Sequence, residues 1–290
     1  MIKKSIKSVH KYLSLVKFSH TIFAMPFAII GFFLAIGSNY SDLSWKLLLL
    51  VILCMVFARN AAMAFNRYAD KEIDIKNPRT AIREIPAGII KPKSALQFTI
   101  INSFLFILTT WFINTLTFHL SPVALFIVLG YSLTKKFTSL CHFVLGLGLS
   151  LAPIGAYISV TGKFDLIPLM FSMVVLFWVS GFDIIYALQD EEFDKQENLK
   201  SIPVMLGKRK ALSLSVILHG ISAIFIILPG ILADFGILYW PGAFIFISLL
   251  IYQHSLVKPT DLSKVNIAFF TTNGIASIVF AIFTIGSLYF

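Results

Sequence analysis

Nine long apolar runs dominate the chain and limit what it can fold into. They lie at about 20–38, 45–65, 95–114, 118–134, 140–160, 165–186, 211–230, 236–254 and 267–289. A helix needs roughly 20 apolar residues to cross the hydrocarbon core of a bilayer, which is about 30 Å thick. The runs are rich in Phe, Leu and Ile and do not alternate with polar residues, which argues against the strands of a membrane barrel. We therefore predict an all-α integral membrane bundle of about nine transmembrane helices.

The low content of charged residues excludes a soluble protein of this length. Of the 290 residues, 58% are hydrophobic and only 13% are charged, whereas soluble domains carry about 25% charged residues. Cys54 and Cys141 lie in apolar runs and show neither metal-ligand nor disulfide spacing. The net charge of +10 suits an anionic lipid surface or an anionic substrate, and we expect no nucleic-acid partner. The sequence predicts a single domain over 1–290.

Lys and Arg residues lie almost entirely on one side of the predicted bundle. The segments 1–19, 66–94, 135–139, 187–210 and 255–266 together carry 21 of the 24 Lys and Arg residues. Cytoplasmic segments of membrane proteins are enriched in these residues. This pattern places the N-terminus and the long loops in the cytoplasm and predicts a multi-pass protein of the cell's inner membrane. The basic segment 1–19 is predicted to lie along the membrane surface rather than to be a cleaved signal.

Acidic residues recur with the same spacing in two of the predicted cytoplasmic loops. Asn66, Asp70 and Asp74 step at i, i+4 and i+8, and Asp190 and Asp194 repeat the four-residue step 120 residues later. Residues four apart lie on one face of a helix, about 5–6 Å from each other, where two carboxylates repel unless a cation lies between them. The chain therefore looks like two pseudo-repeated halves, each with an acidic face at the cytoplasmic membrane surface.

These acidic faces, with the bases beside them, predict a site for Mg²⁺ and a diphosphate. Oxygen ligands without His or Cys suit Mg²⁺, which takes one or two carboxylates and bridges to substrate phosphates. The bases nearby are Arg67, Lys71, Arg79, Arg83, Lys135, Lys136, Lys195 and Lys200. A single Asp-x-x-x-Asp at a helix end is usually a solvated surface. Two copies on one side of the membrane, each flanked by bases, indicate function.

Two charged residues lie inside the predicted spans. Arg59 lies about seven residues inside the second span, where a charge is costly and therefore marks function. The alternative is a structural Arg that either snorkels to the membrane surface or pairs with Asn60. Asp183 lies one or two turns inside the sixth span, where a role in helix packing is equally compatible with its position. The histidines, among them His142, show no mutual spacing and are interpreted as packed or interfacial.

The motifs resemble those of the UbiA superfamily of membrane prenyltransferases. The family's Asn-x-x-x-Asp-x-x-x-Asp matches Asn66, Asp70 and Asp74, and its Asp-x-x-x-Asp matches Asp190 and Asp194. Flanking matches are Arg79-Thr80 with Arg83, Pro86-Ala87-Gly88, Tyr131 with Lys135, and Tyr186-Ala187 with Gln189-Asp190. The resemblance covers nearly the whole chain, and the branch it favours is the 4-hydroxybenzoate polyprenyltransferases. One departure is Arg67, where many relatives carry an acid.

The resemblance implies Mg²⁺-dependent transfer of a polyprenyl group from its diphosphate to an aromatic acid in the bilayer, with no obligatory protein partner. It assigns the metal and the catalysis to Asp70, Asp74, Asp190 and Asp194, with Asn66 assisting at the metal. It implies substrate contacts from Asn66, Lys17, Arg79, Arg83, Tyr131, Lys135 and Tyr186. Arg59 is a candidate for the acceptor carboxylate. The loop 77–93 is a plausible lid.

Several alternatives stay open on the sequence. The acceptor is expected to be 4-hydroxybenzoate, for ubiquinone synthesis, but a dihydroxynaphthoate, for menaquinone synthesis, fits the same chemistry. A transporter with acidic ion sites is a different class of protein, although its acids would be expected nearer the bilayer midplane. The Asp-x-x-Asp-Gly run of CDP-alcohol transferases is absent from the sequence.

Overall fold

A computed structural model describes residues 11–17, 23–37 and 43–290, and their regular secondary structure is helical, with one isolated bridge pair. The helices are α1 (Met25–Gly37), α2 (Trp45–Ala69), α3 (Lys71–Lys76), α4 (Pro92–Trp111), α5 (Thr115–Thr134), α6 (Cys141–Thr161), α7 (Leu166–Ala187), α8 (Glu191–Gln196), α9 (Ile202–Leu232), α10 (Tyr239–Leu256) and α11 (Asn273–Gly286). A 3-10 turn (Leu188–Asp190) joins α7 to α8, and a π-helical turn (Ile267–Thr272) precedes α11. Most of the predicted surface segment 1–19 and both ends of the first predicted span lie outside the described residues.

Each predicted span falls on a helix, which confirms the all-helical membrane bundle. Within the described residues, seven helices are long and apolar enough to cross a membrane, counting α7 to α8 and the π turn to α11 as continuous. The other two apolar helices are α1, with 13 residues, and α10, with 18. The count of nine spans, the duplication into halves and the cytoplasmic N-terminus stay predictions.

Polar caps at the membrane surfaces shift several helix boundaries from those predicted. Asn114 caps α5 by accepting a hydrogen bond from the Thr117 amide, so α5 begins three residues before the predicted 118. Ser201 caps α9 well before the predicted start at 211, and Gly207, with a φ of +76°, breaks this long helix near its start. The predicted loops 66–94 and 187–210 therefore contain short helices and the ends of long ones.

Helix α7 lies at the centre of the bundle and fixes the position of the site at its C-terminal end. Its side chains Phe171, Trp178 and Phe182 are buried in the main core. The Trp178 indole donates a 2.8 Å hydrogen bond to Asn273 beside the π turn. Gly181 lies so close to His219 that an added Cβ would come within 2.4 Å of the ring. This close packing leaves α7 little freedom to shift.

Candidate active site

One cavity of about 180 Å³ lies where the C-terminal ends of α2, α5 and α7 meet. The predicted site residues that line it are Asn66, Asp70, Asp74, Arg79, Arg83, Tyr131, Lys135, Tyr186, Asp190 and Asp194. Asn77, Thr80, His142, Asp183 and Ser201 also line it. We call it the acidic cavity. The structure thus brings both Asp motifs and their neighbouring bases into one space.

The first motif is built at the end of α2. Asp70 ends α2 and precedes α3, yet its amide bonds to the Asn66 carbonyl and its own carbonyl accepts from the Asp74 amide, so the four-residue step continues across the break. The Asn66 side-chain amide donates to Asp70 Oδ2 at 3.1 Å, and Lys135 Nζ donates to the same oxygen at 2.8 Å. Arg83 Nη1 donates to Asp74 Oδ1 at 2.8 Å.

Both carboxylates of this motif are buried, and in each of them only one oxygen has a hydrogen-bond partner. Asp70 and Asp74 are each 2% exposed, and Asp70 Oδ1 and Asp74 Oδ2 have no hydrogen-bond partner among the described residues. Burial raises the pKa of Asp70, and Lys135 opposes that rise. A buried oxygen without a partner is costly, and a hard cation would satisfy it. The donor set of the first motif therefore fits Mg²⁺.

The second motif is held by the loop 77–91, which follows the first motif in sequence. Arg79 Nε and the Asn77 side-chain amide donate to Asp190 Oδ1 at 2.9 and 3.1 Å, and Arg79 Nη2 pairs with Asp190 Oδ2. Arg79 Nη1 donates to the Tyr186 hydroxyl at 3.0 Å. Burial lowers the pKa of Arg79, but hydrogen bonds and charge interactions with Asp190 and Tyr186 raise it by more. The pKa of Arg79 is therefore raised overall. Asp194 lies one turn on, in α8.

Two of the three acid–base pairs in the cavity, Lys135 with Asp70 and Arg79 with Asp190, join segments that are far apart in the chain. Lys135 comes from the end of α5, and Arg79 and Arg83 come from the loop 77–91. Among the residues that the structure describes, no three His, Cys, Asp or Glu side chains are grouped closely enough to hold a metal alone. A cation here would therefore share its ligands with a bound anion, as Mg²⁺ does with phosphates.

A second, apolar cavity of about 350 Å³ opens between α2, α5 and α6. Tyr131 lines both cavities and so forms their border. Arg59 lines the apolar cavity, not the acidic one, and donates to the Lys17 carbonyl at 3.3 Å while its Nε has no partner in the described part of the chain. The described residues show no hydrogen bond between Arg59 and Asn60, whose side-chain amide donates to Asn102 of α4 instead.

Some features of the site were not predicted or need correction. Asn77 holds Asp190, although the sequence argument assigned it no role. His142 is buried at the cavity wall, and His219 bonds to His254 at 2.8 Å although these two residues have no regular spacing in sequence. The lid predicted at 77–93 ends at residue 91, because Pro92 begins α4. For Lys17 the contact at Arg59 is made by its backbone carbonyl.

The fold and the two cavities define an integral membrane protein in which a charged cavity borders an apolar one. The family model "UbiA prenyltransferase family" matches residues 24–275. The chain belongs to this family and is a membrane prenyltransferase, which leaves the transporter alternative without support.

Individual relatives agree with this assignment. The chain is 30% identical over 248 residues to a 4-hydroxybenzoate octaprenyltransferase of Aliivibrio fischeri, covering 84% of this chain and 85% of the relative. It resembles the apo structure of a UbiA homolog from Aeropyrum pernix with a TM-score of 0.79, at 27% identity over 93% of this chain and 96% of that one. A UbiA homolog from Archaeoglobus fulgidus, bound to DMAPP and Mg²⁺, shares the fold with a TM-score of 0.74 at 22% identity, over 96% of this chain and 99% of that one.

Proposed function

We propose that this enzyme transfers a polyprenyl group from a polyprenyl diphosphate to 4-hydroxybenzoate, with Mg²⁺ as its cofactor. The observation that carries the proposal is the meeting of both Asp motifs and three bases in one cavity that borders an apolar one. The names of the relatives, 4-hydroxybenzoate octaprenyltransferase, support the choice of acceptor. The active site then faces the cytoplasm from the inner membrane, as the distribution of Lys and Arg indicates.

The diphosphate head is bound in the acidic cavity. Asp70, Asp74, Asp190 and Asp194, with Asn66, are the residues that would hold Mg²⁺, which stabilises the negative charge developing on the leaving diphosphate. The bases Arg79, Arg83 and Lys135 then exchange their carboxylate partners for phosphate oxygens. Such an exchange keeps every buried charge paired in both states.

The polyprenyl tail occupies the apolar cavity, and the acceptor ring lies near Tyr131 at the border between the two cavities. Arg59 is the base nearest to the apolar side and takes the acceptor carboxylate, for which its unpartnered Nε is available. Tyr186 holds Arg79 through its hydroxyl and so places that guanidinium beside the head. The Lys17 carbonyl accepts a hydrogen bond from Arg59, so Lys17 lies at the same edge of the site.

The chemistry then follows from the arrangement. The C–O bond to diphosphate breaks and leaves an allylic cation, the ring carbon next to the phenol hydroxyl attacks it, and the ring loses a proton. The loop 77–91 covers the head and excludes water, which would otherwise capture the cation. Its hydrophobic residues Ile85 and Ile90 anchor it by packing with Leu15, Ala64 and Ala95.

The direct test is an acceptor assay on the purified protein in detergent. Mg²⁺ and a polyprenyl diphosphate are supplied with either 4-hydroxybenzoate or a dihydroxynaphthoate, and the product is identified by mass. Prenylated 4-hydroxybenzoate alone is the expected result. A product with the naphthoate alone would move the reaction to menaquinone synthesis, and no product with either would overturn the proposed acceptor class.

A further inference from the structure

Asp183 is a fifth carboxylate at the acidic cavity, and it belongs to neither Asp motif. Its side chain is 23% exposed and lines the cavity together with Tyr131 and Tyr186. On α7 it precedes Asp190 by seven residues, so it lies about 10 Å deeper in the membrane at the rise of a helix. This depth places it on the same side of the site as Tyr131, where the acceptor ring is expected.

A buried histidine fixes the orientation of this carboxylate. His142 of α6 is 3% exposed, and its Nδ1 lies 2.7 Å from Asp183 Oδ2. The backbone amide of Ile202 donates to His142 Nε2 at 3.3 Å. Because an amide can only donate, Nε2 is the acceptor and Nδ1 carries the ring proton, which it donates to Asp183. The histidine is thus a fixed donor, and Asp183 keeps Oδ1 for another partner.

Asp183 also differs from three of the four motif carboxylates in its partners. Asp70, Asp74 and Asp190 each bond to a Lys or Arg. Within the described residues Asp183 bonds only to the imidazole. No Lys or Arg side chain thus holds this carboxylate, and its Oδ1 has no hydrogen-bond partner among the described residues.

We propose that Asp183 is the catalytic base that takes the proton lost by the acceptor ring, with His142 as its positioning residue; this inference rests on the proposed function. The new C–C bond forms at the ring carbon, whose C–H bond then breaks. The electron pair of that C–H bond restores the aromatic ring, and the proton passes to Asp183 Oδ1. Diphosphate has left with the electrons of the C–O bond, so the step needs no further reactant.

The test compares Asp183→Asn with Asp165→Asn, using 4-hydroxybenzoate deuterated at the two ring carbons beside the hydroxyl. Asp165 lies at the other end of the same helix, where it caps α7 and bonds to Tyr157, and Asn keeps the capping group. Prenylated product and released diphosphate are both measured. In Asp183→Asn, product formation is expected to fall by about 100-fold or more. Diphosphate release should exceed product formation, and a deuterium isotope effect absent from wild type should appear.

Three further results complete the test. His142→Asn keeps a donor near the Nδ1 position and should retain more product than His142→Leu, which should show the isotope effect. If Asp183→Asn fails to fold, Asp183→Glu keeps a base on a longer arm and should show reduced product with the same isotope effect. Equal behaviour of the Asp183 and Asp165 variants, or equal loss of product and diphosphate without an isotope effect, would overturn the assignment. A wild-type enzyme that forms no prenylated 4-hydroxybenzoate would instead overturn the proposed function.

Discussion

The two Asp motifs have the same spacing but are built in different ways. Asp70 and Asp74 are almost fully buried, and two of their three partners, Asn66 and Arg83, come from the same stretch of chain, while Lys135 lies 65 residues away. The side chain of Asp190 is 17% exposed, and it is held by Asn77 and Arg79, more than a hundred residues away in sequence. The first motif is therefore assembled largely by local structure, whereas the second depends on the loop that follows the first.

This difference makes the loop 77–91 the element that joins the two motifs. It sends Arg83 to Asp74 and Arg79 to Asp190. It is anchored by a hydrogen bond from the Ser14 hydroxyl to Glu84. A substitution in this loop should therefore weaken both motifs, whereas a substitution at the exposed contacts around α8 should not.

The largest effect is expected from Asp70→Ala and Asp190→Ala. Each change removes a carboxylate proposed to hold Mg²⁺, and turnover should fall by about 1,000-fold or more, the upper end for loss of one electrostatic contact. Turnover is measured as prenylated product with saturating Mg²⁺. Asp261→Ala, at an exposed carboxylate of the α10 to α11 connection, is the control and should stay active. Normal turnover in either motif variant would contradict a site that needs both motifs.

Stability should separate Arg83→Ala from Arg79→Ala. Removing Arg83 leaves the buried Asp74 charge without its partner, which costs about 3–5 kcal/mol. Removing Arg79 leaves Asp190 partly hydrated and still bonded to Asn77, so we expect a loss of about 1 kcal/mol. Thermal unfolding midpoints in detergent measure both. Both variants should also raise the KM for the polyprenyl diphosphate.

The double variant Asp74→Asn with Arg83→Met serves as the control for this pair of changes. It removes both buried charges together and should recover most of the stability lost in Arg83→Ala. Equal unfolding midpoints for the Arg79 and Arg83 variants would show that the two motifs are built alike.

A smaller effect is expected from Asn77→Ala. Its side chain donates to Asp190 and accepts from the Arg79 amide, so its loss loosens the second motif alone. One of these hydrogen bonds is to a carboxylate and the other to a backbone amide. Because Arg79 still holds Asp190, we expect their loss to cost about 1–2 kcal/mol, a fall of about 5- to 30-fold in kcat/KM. Gln196→Ala, at the exposed end of α8, should leave kcat/KM unchanged. A loss as large as that of Asp190→Ala would mean that Asn77 itself contacts the substrate.

The smallest effect is expected from Lys76→Ala. Lys76 pairs with Glu197 at 2.6 Å across the two motif loops, but its side chain is 58% exposed. Exposed pairs contribute about 0–1 kcal/mol and are screened by salt. A double-mutant cycle with Glu197→Ala, at low and high salt, measures the coupling. A coupling well above 1 kcal/mol would show that this surface pair also helps to join the motifs.

The parts of the site that the sequence could predict are the local ones. Asn66, Asp70 and Asp74 share a face because helical geometry fixes the i, i+4 relation. Long apolar runs predicted the helices, and only their polar ends were misplaced, since caps such as Asn114 act within one turn. The meeting of both motifs in one site could also be predicted, because the sequence places them on the same side of the membrane.

The pairings inside the site could not be predicted, because they join residues far apart in the chain. Lys135 reaches Asp70 over 65 residues and Arg79 reaches Asp190 over 111. Many bases lay near each motif in sequence, and spacing alone does not select among them. The contact between His142 and Asp183 has the same origin, since it depends on how α6 packs against α7.

Among the described residues, Tyr131 alone lines both cavities. This separation of the two cavities has an evolutionary consequence. Under the proposed function, the walls that limit the tail length are formed by α5 and α6 residues such as Ala124 and Gly148, while the reacting groups lie beyond Tyr131. Substitutions on one side of this border leave the other side intact. Descendants of such an enzyme can therefore change the length of the donor they accept through single steps, each of which retains a working reaction centre.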